Sequence, residues 1–575
     1  MSTTERNTDE DDAIDEPPTP AVRDASSGGA ATASPSVGVE TSFARLVPVN
    51  EVARNAFHEA VEYLSTASIS TAVRTRLRAC LVATRHTTNH DNHNDDDDDA
   101  NQRWHGHYSF DLTKQTLSPS SWTFGADPHS VDFLLIPPSM TEMSGVFPKH
   151  GQFFQDQLAA TLMVRAAAQH VELYLGALPL SLAGRLLTPQ CSLMVSVLLY
   201  RLDFTNMDPA ILLKQISASR GHRLNYPSLL SPTPSSSSHV VQDKFLVEPT
   251  MYGGAQGAVS LGFRLAGGPP IAAKRITVDQ RNSKQVDSIK REIQFLKAFR
   301  DEDNIVHLAD DFDQDRALFE FLQHATSSPV SEITLILEPA ATHSLQELLN
   351  QASNSFSLGQ LRTVATDWAR GLAHIHHLPA LHRDIKPANL GMDAFRGVVL
   401  DLGHMTSGKT NNQHTAGTIS YLAPEIMALK RGQSTAHASP VSASSDLFSL
   451  GISVALWLLR LTRPPWTDVK VSSDRGVTSD SLTALSDQLK SLRTDSRGWW
   501  PGNDHDGDDN DLPLKRTIDT ILHLITPSPA YRSTAADAIE QLSQDQFEPS
   551  PPPRRMLPFM SVASGLGSSF ENSTQ

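Results

Sequence analysis

The stretch LHRDIKPANLGMDAFRGVVLDLGHM, residues 381–405, sets Asp384, Lys386, Asn389 and Asp401 around the apolar run Gly397-Val398-Val399-Leu400. A strand of that kind wants a packed neighbour, and acids buried beside it are costly unless a cation compensates them. Two readings meet the pattern: a solvated polar hairpin, or a site that holds metal ions and phosphate. Asp384 and Asn389 fit H-R-D-x-x-x-x-N in full, and Asp401 opens D-L-G directly after the strand. That order puts a carboxylate base, an amide ligand and a carboxylate ligand on two adjacent loops. Lys386 adds a point charge able to neutralise a moving phosphoryl group, and Arg383 could pair with a phosphate on the following loop.

Phosphoryl transfer makes further demands: a backbone cradle for phosphates and a cation beside them. MYGGAQGAVSLGF (251–263) offers the cradle through Gly253, Gly254 and Gly257, with Val259 following. Tyr252 stands where the first glycine of G-x-G-x-x-G would be, so a tight hairpin turn fits these residues equally well. PPIAAKRI (269–276) offers the cation, Lys274, on an apolar strand. Such a lysine needs an acid. DSIKREIQFLKAF (287–299) supplies Glu292 on a helix whose Ile289, Ile293, Leu296 and Phe299 share one face. The bland alternative is a solvated surface lysine.

At these residues the chain, over 244–546, resembles a eukaryotic serine/threonine protein kinase, a two-lobed α+β fold. HRDIKPANL resembles the catalytic loop, DLG the DFG motif, YLAPE (421–425) the APE motif, and IAAK the strand lysine. SSDLFSLGISVALWLL (444–459) is similar to the buried helix whose acid, here Asp446, holds the catalytic loop; ITPSPAYRSTAADAI (525–539) is similar to the segment whose Arg532 pairs with Glu425. The resemblance implies ATP as phosphate donor on Lys274, a Lys274–Glu292 ion pair, Asp384 as base, and Mg2+ on Asn389 and Asp401. It implies Val259 and Ala272 beside the nucleotide, a hinge at 337–340 with Leu337 as gatekeeper, and backbone bonds to adenine from Glu338 and Ala340. Lys386 with Thr418 resembles the pattern of serine/threonine enzymes. Thr406, Ser407, Thr410 and Thr415 lie where that family carries activating phosphates. Leu402 replaces the Phe of DFG. The rival reading is a non-catalytic scaffold that binds partners or nucleotide without transfer.

The rest of the chain bounds this reading. Of 575 residues, 39% are hydrophobic, and 48 basic against 64 acidic side chains leave a net charge of −16. Such a balance argues against nucleic acid or acidic membrane as a partner. Two cysteines, Cys80 and Cys191, make no disulfide framework and suggest a reducing compartment. The start, MSTTERNTDEDDAIDEPPTP, lacks the apolar core of a signal peptide, and LGISVALWLLRL (450–461) is too short to span a bilayer. An intracellular protein of the cytoplasm or nucleus is expected.

Composition divides the chain into an acidic disordered start (1–41), a β-rich domain (42–206), a Ser/Pro-rich linker (207–243), the domain above, and a disordered tail (547–575). Within the second, EVARNAFHEAVEYL (51–64) has helical spacing, and HTTNHDNHNDDDDDAN (86–101) reads as a solvated insert. NDHDGDDND (503–511) imitates a calcium loop, with Gly507 at the wrong offset. SSWTFGADPHSVDFLLIPPSMTEMSGVFPKHGQFF (120–154) is similar to a forkhead-associated (FHA) domain, which implies an all-β sandwich that docks phosphoprotein partners. Where that family has its phosphate-binding Arg and Ser, this chain has Ala126 and Phe147. The resemblance leaves His150 as a loop support and Lys149 as the nearest cation, so phosphate readout is expected to be weak, rerouted or lost.

Overall fold

The computed structural model describes residues 41–85, 103–220, 233–249, 252–254, 257–279, 281–324, 330–351, 357–393, 396–411, 417–431, 441–468, 476–494 and 512–544. The acidic start to residue 40, the insert 86–101, the 503–511 segment, Thr415 and the tail 547–575 lie outside them.

The N-terminal domain runs β1 (Ala44–Pro48), α1 (Glu51–Thr66), α2 (Thr71–Ala79), β2 (Leu81–Arg85), β3 (Trp104–Phe110), β4 (Ser121–Gly125), β5 (Phe133–Leu134) and the single turn α3 (Thr141–Ser144). It continues with β6 (Gly151–Gln155), β7 (Leu162–Ala166), β8 (Leu173–Leu175), β9 (Leu178–Pro179), β10 (Arg185–Leu186), β11 (Ser192–Val195) and β12 (Leu198–Phe204). Two sheets form, β2-β3-β1-β12-β11-β8-β9 and β10-β7-β6-β4-β5. Alternate residues of β1 and β6 are buried, because successive side chains point to opposite faces. Both sheets contribute to one aromatic core, in which the Phe110 ring lies 5.2 Å from Trp122 and 5.0 Å from both Phe133 and Phe153.

The expected all-β architecture needs one correction: α1, where the sequence shows helical spacing, and α2, where it shows none, stand between β1 and β2. Asn50 caps the first, accepting from Ala53 N–H at 2.9 Å, and Ala53, Phe57, Ala60 and Leu64 form its buried stripe. The expected linker is also more ordered than its Ser/Pro content suggests. It holds α4 (Pro209–Arg220), whose Leu212 and Ile216 are fully buried in the N-terminal core, and the strand β13 (His239–Val241). In α4 apolar spacing outweighs composition, because burial of apolar surface stabilises an element whatever polar residues surround it.

The C-terminal domain begins with a sheet of β13, β14 (Phe245–Val247), β15 (Tyr252–Gly254), β16 (Gly257–Arg264), β17 (Ile271–Asp279), β18 (His307–Leu308) and β19 (Val330–Glu338). Its path is β13-β14-β16-β17-β19-β18, with β15 paired to β16; α5 (Ser283–Ala298) and α6 (Gln314–His324) pack on it. A mostly helical part follows: β20 (His343–Ser344), α7 (Leu345–Asn350), α8 (Leu358–His377), β21 (Ala380–Leu381), β22 (Leu390–Asp393), β23 (Arg396–Val399), β24 (Thr406–Ser407) and β25 (Thr410–Asn411). It ends with α9 (Pro424–Lys430), β26 (Val441–Ser442), α10 (Ala443–Leu459), α11 (Ser479–Thr494), α12 (Leu512–Leu524) and α13 (Ala535–Ser543). Every residue of α10 from Ser445 to Leu459 is buried, and among the described residues no helix is long and apolar enough to cross a membrane.

Candidate active site

The glycine-rich stretch is a hairpin. Tyr252 pairs with Val259, and Gly254 with Gly257. Gly257 has φ +130°, and a Cβ there would sit 2.4 Å from the Arg275 carbonyl oxygen, so glycine alone lets β16 close on β17. Val259 pairs in turn with Lys274, and Ala272 with both Leu261 and the buried Leu337. Alternation places Val259, Ala272 and Lys274 on one face of the sheet.

Lys274 rises from that face. Its Nζ lies 2.7 Å from Glu292 Oε1 and 2.9 Å from Asp401 Oδ1. The helix α5 explains the first contact: Asn282 caps it, its apolar stripe faces the sheet, and the buried Glu292 shares that stripe. Burial alone would lower the lysine's pKa, but the carboxylates of Glu292 and Asp401 outweigh it and hold the ammonium above its ordinary range. Burial likewise opposes ionisation of Asp401, yet Lys274 holds its carboxyl below the usual carboxylate range. A Lys274→Met substitution leaves the buried Glu292 and the half-buried Asp401 carboxylates facing each other.

The catalytic-loop residues meet at Asp384, which is 3% exposed. Its Oδ1 accepts from both the backbone N–H and the hydroxyl of Thr418, each at 2.8 Å, and its Oδ2 accepts from Lys386 Nζ at 2.7 Å. Lys386 also donates to the Thr418 hydroxyl at 3.1 Å. Asn389 spends its NH₂ on the Asp384 backbone and carboxylate, at 2.8 and 3.2 Å, which orients its carbonyl oxygen away from them. Leu400 N–H donates to the Asn389 carbonyl at 2.9 Å, locking the Asn389 loop to the residue before Asp401. Arg383 (φ +70°) and Asp401 (φ +58°) both occupy left-handed backbone, which the surrounding bonds must hold in place. Asp446 provides some of them: its carboxylate accepts the N–H groups of His382 and Arg383 at 2.9 and 2.8 Å and contacts His376 Nε2 at 2.9 Å. Sequence reasoning missed His376, whose only signal is one histidine among several at the end of α8.

At the hinge, Leu337 and Ala340 are buried, and the Glu338 side chain is committed to the protein. It accepts from Arg264 Nη2 at 2.7 Å and from Asp310 N–H at 3.0 Å. Arg264 carries no motif and was not legible beforehand. Beyond the site, Arg532 forms a two-pronged pair with Glu425 at 2.6 and 2.7 Å.

Residues 247–543, just over half of the chain, match the model of the protein kinase domain. The chain belongs to the protein kinase family. Among curated proteins, the kinase resembles serine/threonine-protein kinase 36 of Pongo abelii, 26% identical over 39% of this chain and 15% of that protein. It is also similar to mitogen-activated protein kinase kinase kinase YODA of Arabidopsis thaliana, 26% identical over 43% of this chain and 28% of that protein. Cyclin-dependent kinase 7 of Dictyostelium discoideum is 27% identical over 52% of this chain and 78% of its own length. The chain thus spans less than a third of the first two relatives.

In the N-terminal domain, Ala126 is buried and its N–H donates to the Phe147 and Pro148 carbonyls at 3.1 and 3.0 Å. Phe147 is exposed, with its ring 5.0 Å from that of His170. His150 is fully buried; its Nδ1 accepts from Phe147 N–H at 3.2 Å, and its Nε2 faces the Glu172 carbonyl at 2.9 Å. Burial lowers its pKa, so the ring is a neutral strut of the 147–150 turn.

Proposed function

We propose that the chain is an ATP- and magnesium-dependent protein serine/threonine kinase that transfers the γ-phosphate to hydroxyls of protein substrates. One observation carries this reading: Lys274, Glu292 and Asp401 converge within hydrogen-bond distance while Asp384, Lys386, Asn389 and Thr418 form a second, connected cluster. Lys274 binds and orients the phosphates, Asp384 holds the acceptor hydroxyl and takes its proton, and Lys386 balances charge beside it. Val259, Ala272 and the hinge residues Glu338 and Ala340 enclose the base, with Gly253, Gly254 and Gly257 over the phosphates. Asn389 and Asp401 suit Mg2+, since both offer oxygen to a hard cation and the amide's donor end is already engaged. When bound there, the ion supplies neutralising charge to the phosphates. Transfer of labelled phosphate from ATP to a serine peptide, in Mg2+ and lost in EDTA, tests the reading; no transfer by wild type would favour the scaffold.

Activation-loop phosphorylation belongs to the same proposal. Burial lowers the pKa of Arg383 against the raising charge of Asp446, with Arg291 adding to the lowering, while Lys430 is lowered first by burial and then by Arg383. This concentration of positive charge suits an incoming phosphate. Ser407 and Thr410 are exposed on the segment, whereas Thr406 is half-buried in β24, paired with β21.

For the N-terminal domain, two packed sheets and the His150 strut support an FHA-like docking module. Ala126 and Phe147 provide no guanidinium or hydroxyl for phosphate. A phosphothreonine peptide is therefore expected to bind within about threefold of its unphosphorylated form, far short of what a charge-assisted pair supplies. Fluorescence anisotropy with both peptides decides it, and strong preference for the phosphorylated one would point to a route through Lys149.

A further inference from the structure

The sheet face that presents Ala272 and Lys274 does not end at the nucleotide cleft. Along β16, Val259 is followed on the same face by Leu261 and Phe263, then by Leu265 just past the strand. Leu261 pairs with Ala272, and Phe263 with Leu246. Leu246, Leu261, Phe263 and Leu265 are all buried, and what buries them is the N-terminal domain. Its Ala159, Met163 and Leu186 form one apolar cluster with them, and the cluster also contains the hinge residue Ala340, 5% exposed. Ala272 packs against the same cluster.

The contact is built as well as apolar. Met163 and Leu186 face each other across β7 and β10, the latter the end strand of its sheet. Leu186 N–H donates to the Leu265 carbonyl at 2.8 Å, so kinase backbone satisfies that strand's outer edge. Asp156 Oδ1 accepts the N–H groups of Leu158 and Ala159 at 2.9 and 2.7 Å, and its Oδ2 accepts Gly268 N–H at 3.3 Å. Gly267 fits beneath: a Cβ there would stand 2.9 Å from Asp156 Oδ2 and 3.2 Å from Met163 Cε. Next to Leu265, Arg264 ties this corner to the hinge through Glu338 at 2.7 Å and to Asp311 at 3.1 Å.

We propose that the N-terminal domain is a buttress of the nucleotide site, with Met163 and Leu186 acting as positioning residues that hold Ala340 and the Leu261–Ala272 pair in their nucleotide-binding arrangement. The proposal rests on the kinase reading above and adds a regulatory consequence. A partner protein that draws β7 and β10 off the kinase sheet lowers affinity for ATP without touching any group that handles phosphate. Domain and kinase are then coupled through differential binding of the partner to the docked and undocked arrangements.

The test uses the full-length chain and three variants: Met163→Ala, Met163→Leu, and Leu64→Ala as a control for general loss of stability. Leu64 is buried in a separate satellite cluster with Leu77, Val131 and Leu134. Met163→Ala is expected to raise KM for ATP by roughly 10-fold with kcat little changed, as a displaced positioning group should. It should also speed amide hydrogen exchange in 337–342, measured without nucleotide, by roughly 10-fold. Met163→Leu, close in volume, restores both readouts, and Leu64→Ala moves neither. Unchanged exchange at the hinge in Met163→Ala, or equal changes in Leu64→Ala, overturns the buttress. A wild type that shows the exchange pattern but transfers no phosphate overturns the kinase reading and leaves the buttress standing.

Discussion

Asp384→Asn is expected to lower kcat by about 10²–10⁴-fold, the contribution of a positioned general base, while KM for ATP stays within a few-fold. The carboxylate sits where four donors converge, from the Thr418 backbone, the Thr418 hydroxyl, Lys386 and the Asn389 amide. An amide keeps the shape but loses the base, and it must turn its NH₂ toward at least one of those donors. Catalysis therefore falls for two reasons, lost proton acceptance and a loosened Thr418 loop. Because Lys274, Glu292 and Asp401, the groups proposed to serve the nucleotide, have their own bonds, nucleotide binding is expected to be spared. Initial-rate kinetics together with an ATP-dependent thermal shift separate the two effects. A variant that keeps even a tenth of wild-type turnover would falsify the assignment of Asp384 as base.

The second large effect concerns stability. Arg532→Ala should destabilise the kinase domain by about 3–5 kcal/mol, the scale of stripping one partner from a buried ion pair. The Arg532 side chain is wholly buried, bound to both oxygens of Glu425, to the Ser444, Thr526 and Pro527 carbonyls, and lies 4.9 Å over the Phe448 ring. Removing it strands a 2%-exposed carboxylate that keeps the Ser445 hydroxyl as a donor at 3.1 Å. Much of the cost is thus that uncompensated charge. A Glu425→Gln, Arg532→Leu double variant should cost less than the sum of the two single changes, since neither charge is left behind. Urea denaturation of all four proteins measures the cycle, and strict additivity would show that the pair is not coupled.

Much of the polar clustering at the candidate site was readable in advance because its spacing is local. Asp384, Lys386 and Asn389 lie on one loop, and Asp401 follows a strand that the apolar run Val398–Leu400 announces. Lys274 and Glu292 were paired by reasoning that a buried lysine needs an acid from an amphipathic helix, and they stand 2.7 Å apart. Arg264 and His376 escaped notice because neither belongs to a local pattern. Arg264 acquires its role by meeting Glu338, and His376 by meeting Asp446, both remote in sequence. The segment 207–243 misled for another reason: Pro and Ser content spoke for a linker, while Leu212 and Ile216 at helical spacing found a core to enter. Helix α1 was announced by the spacing of 51–64, whereas α2 interrupts a stretch that carried no such signal.

By itself, then, the chain's order of residues determined which polar groups would cluster on the 382–389 loop and beside Asp401, since their types and short-range spacing are local properties of the chain. Only the tertiary structure decided that one N-terminal sheet, through β7 and β10, packs on Leu261, Phe263 and Ala340, because such packing depends on matching two surfaces built from segments far apart in the chain. Apolar alternation declares that a face will be buried, but it carries no information about which partner buries it.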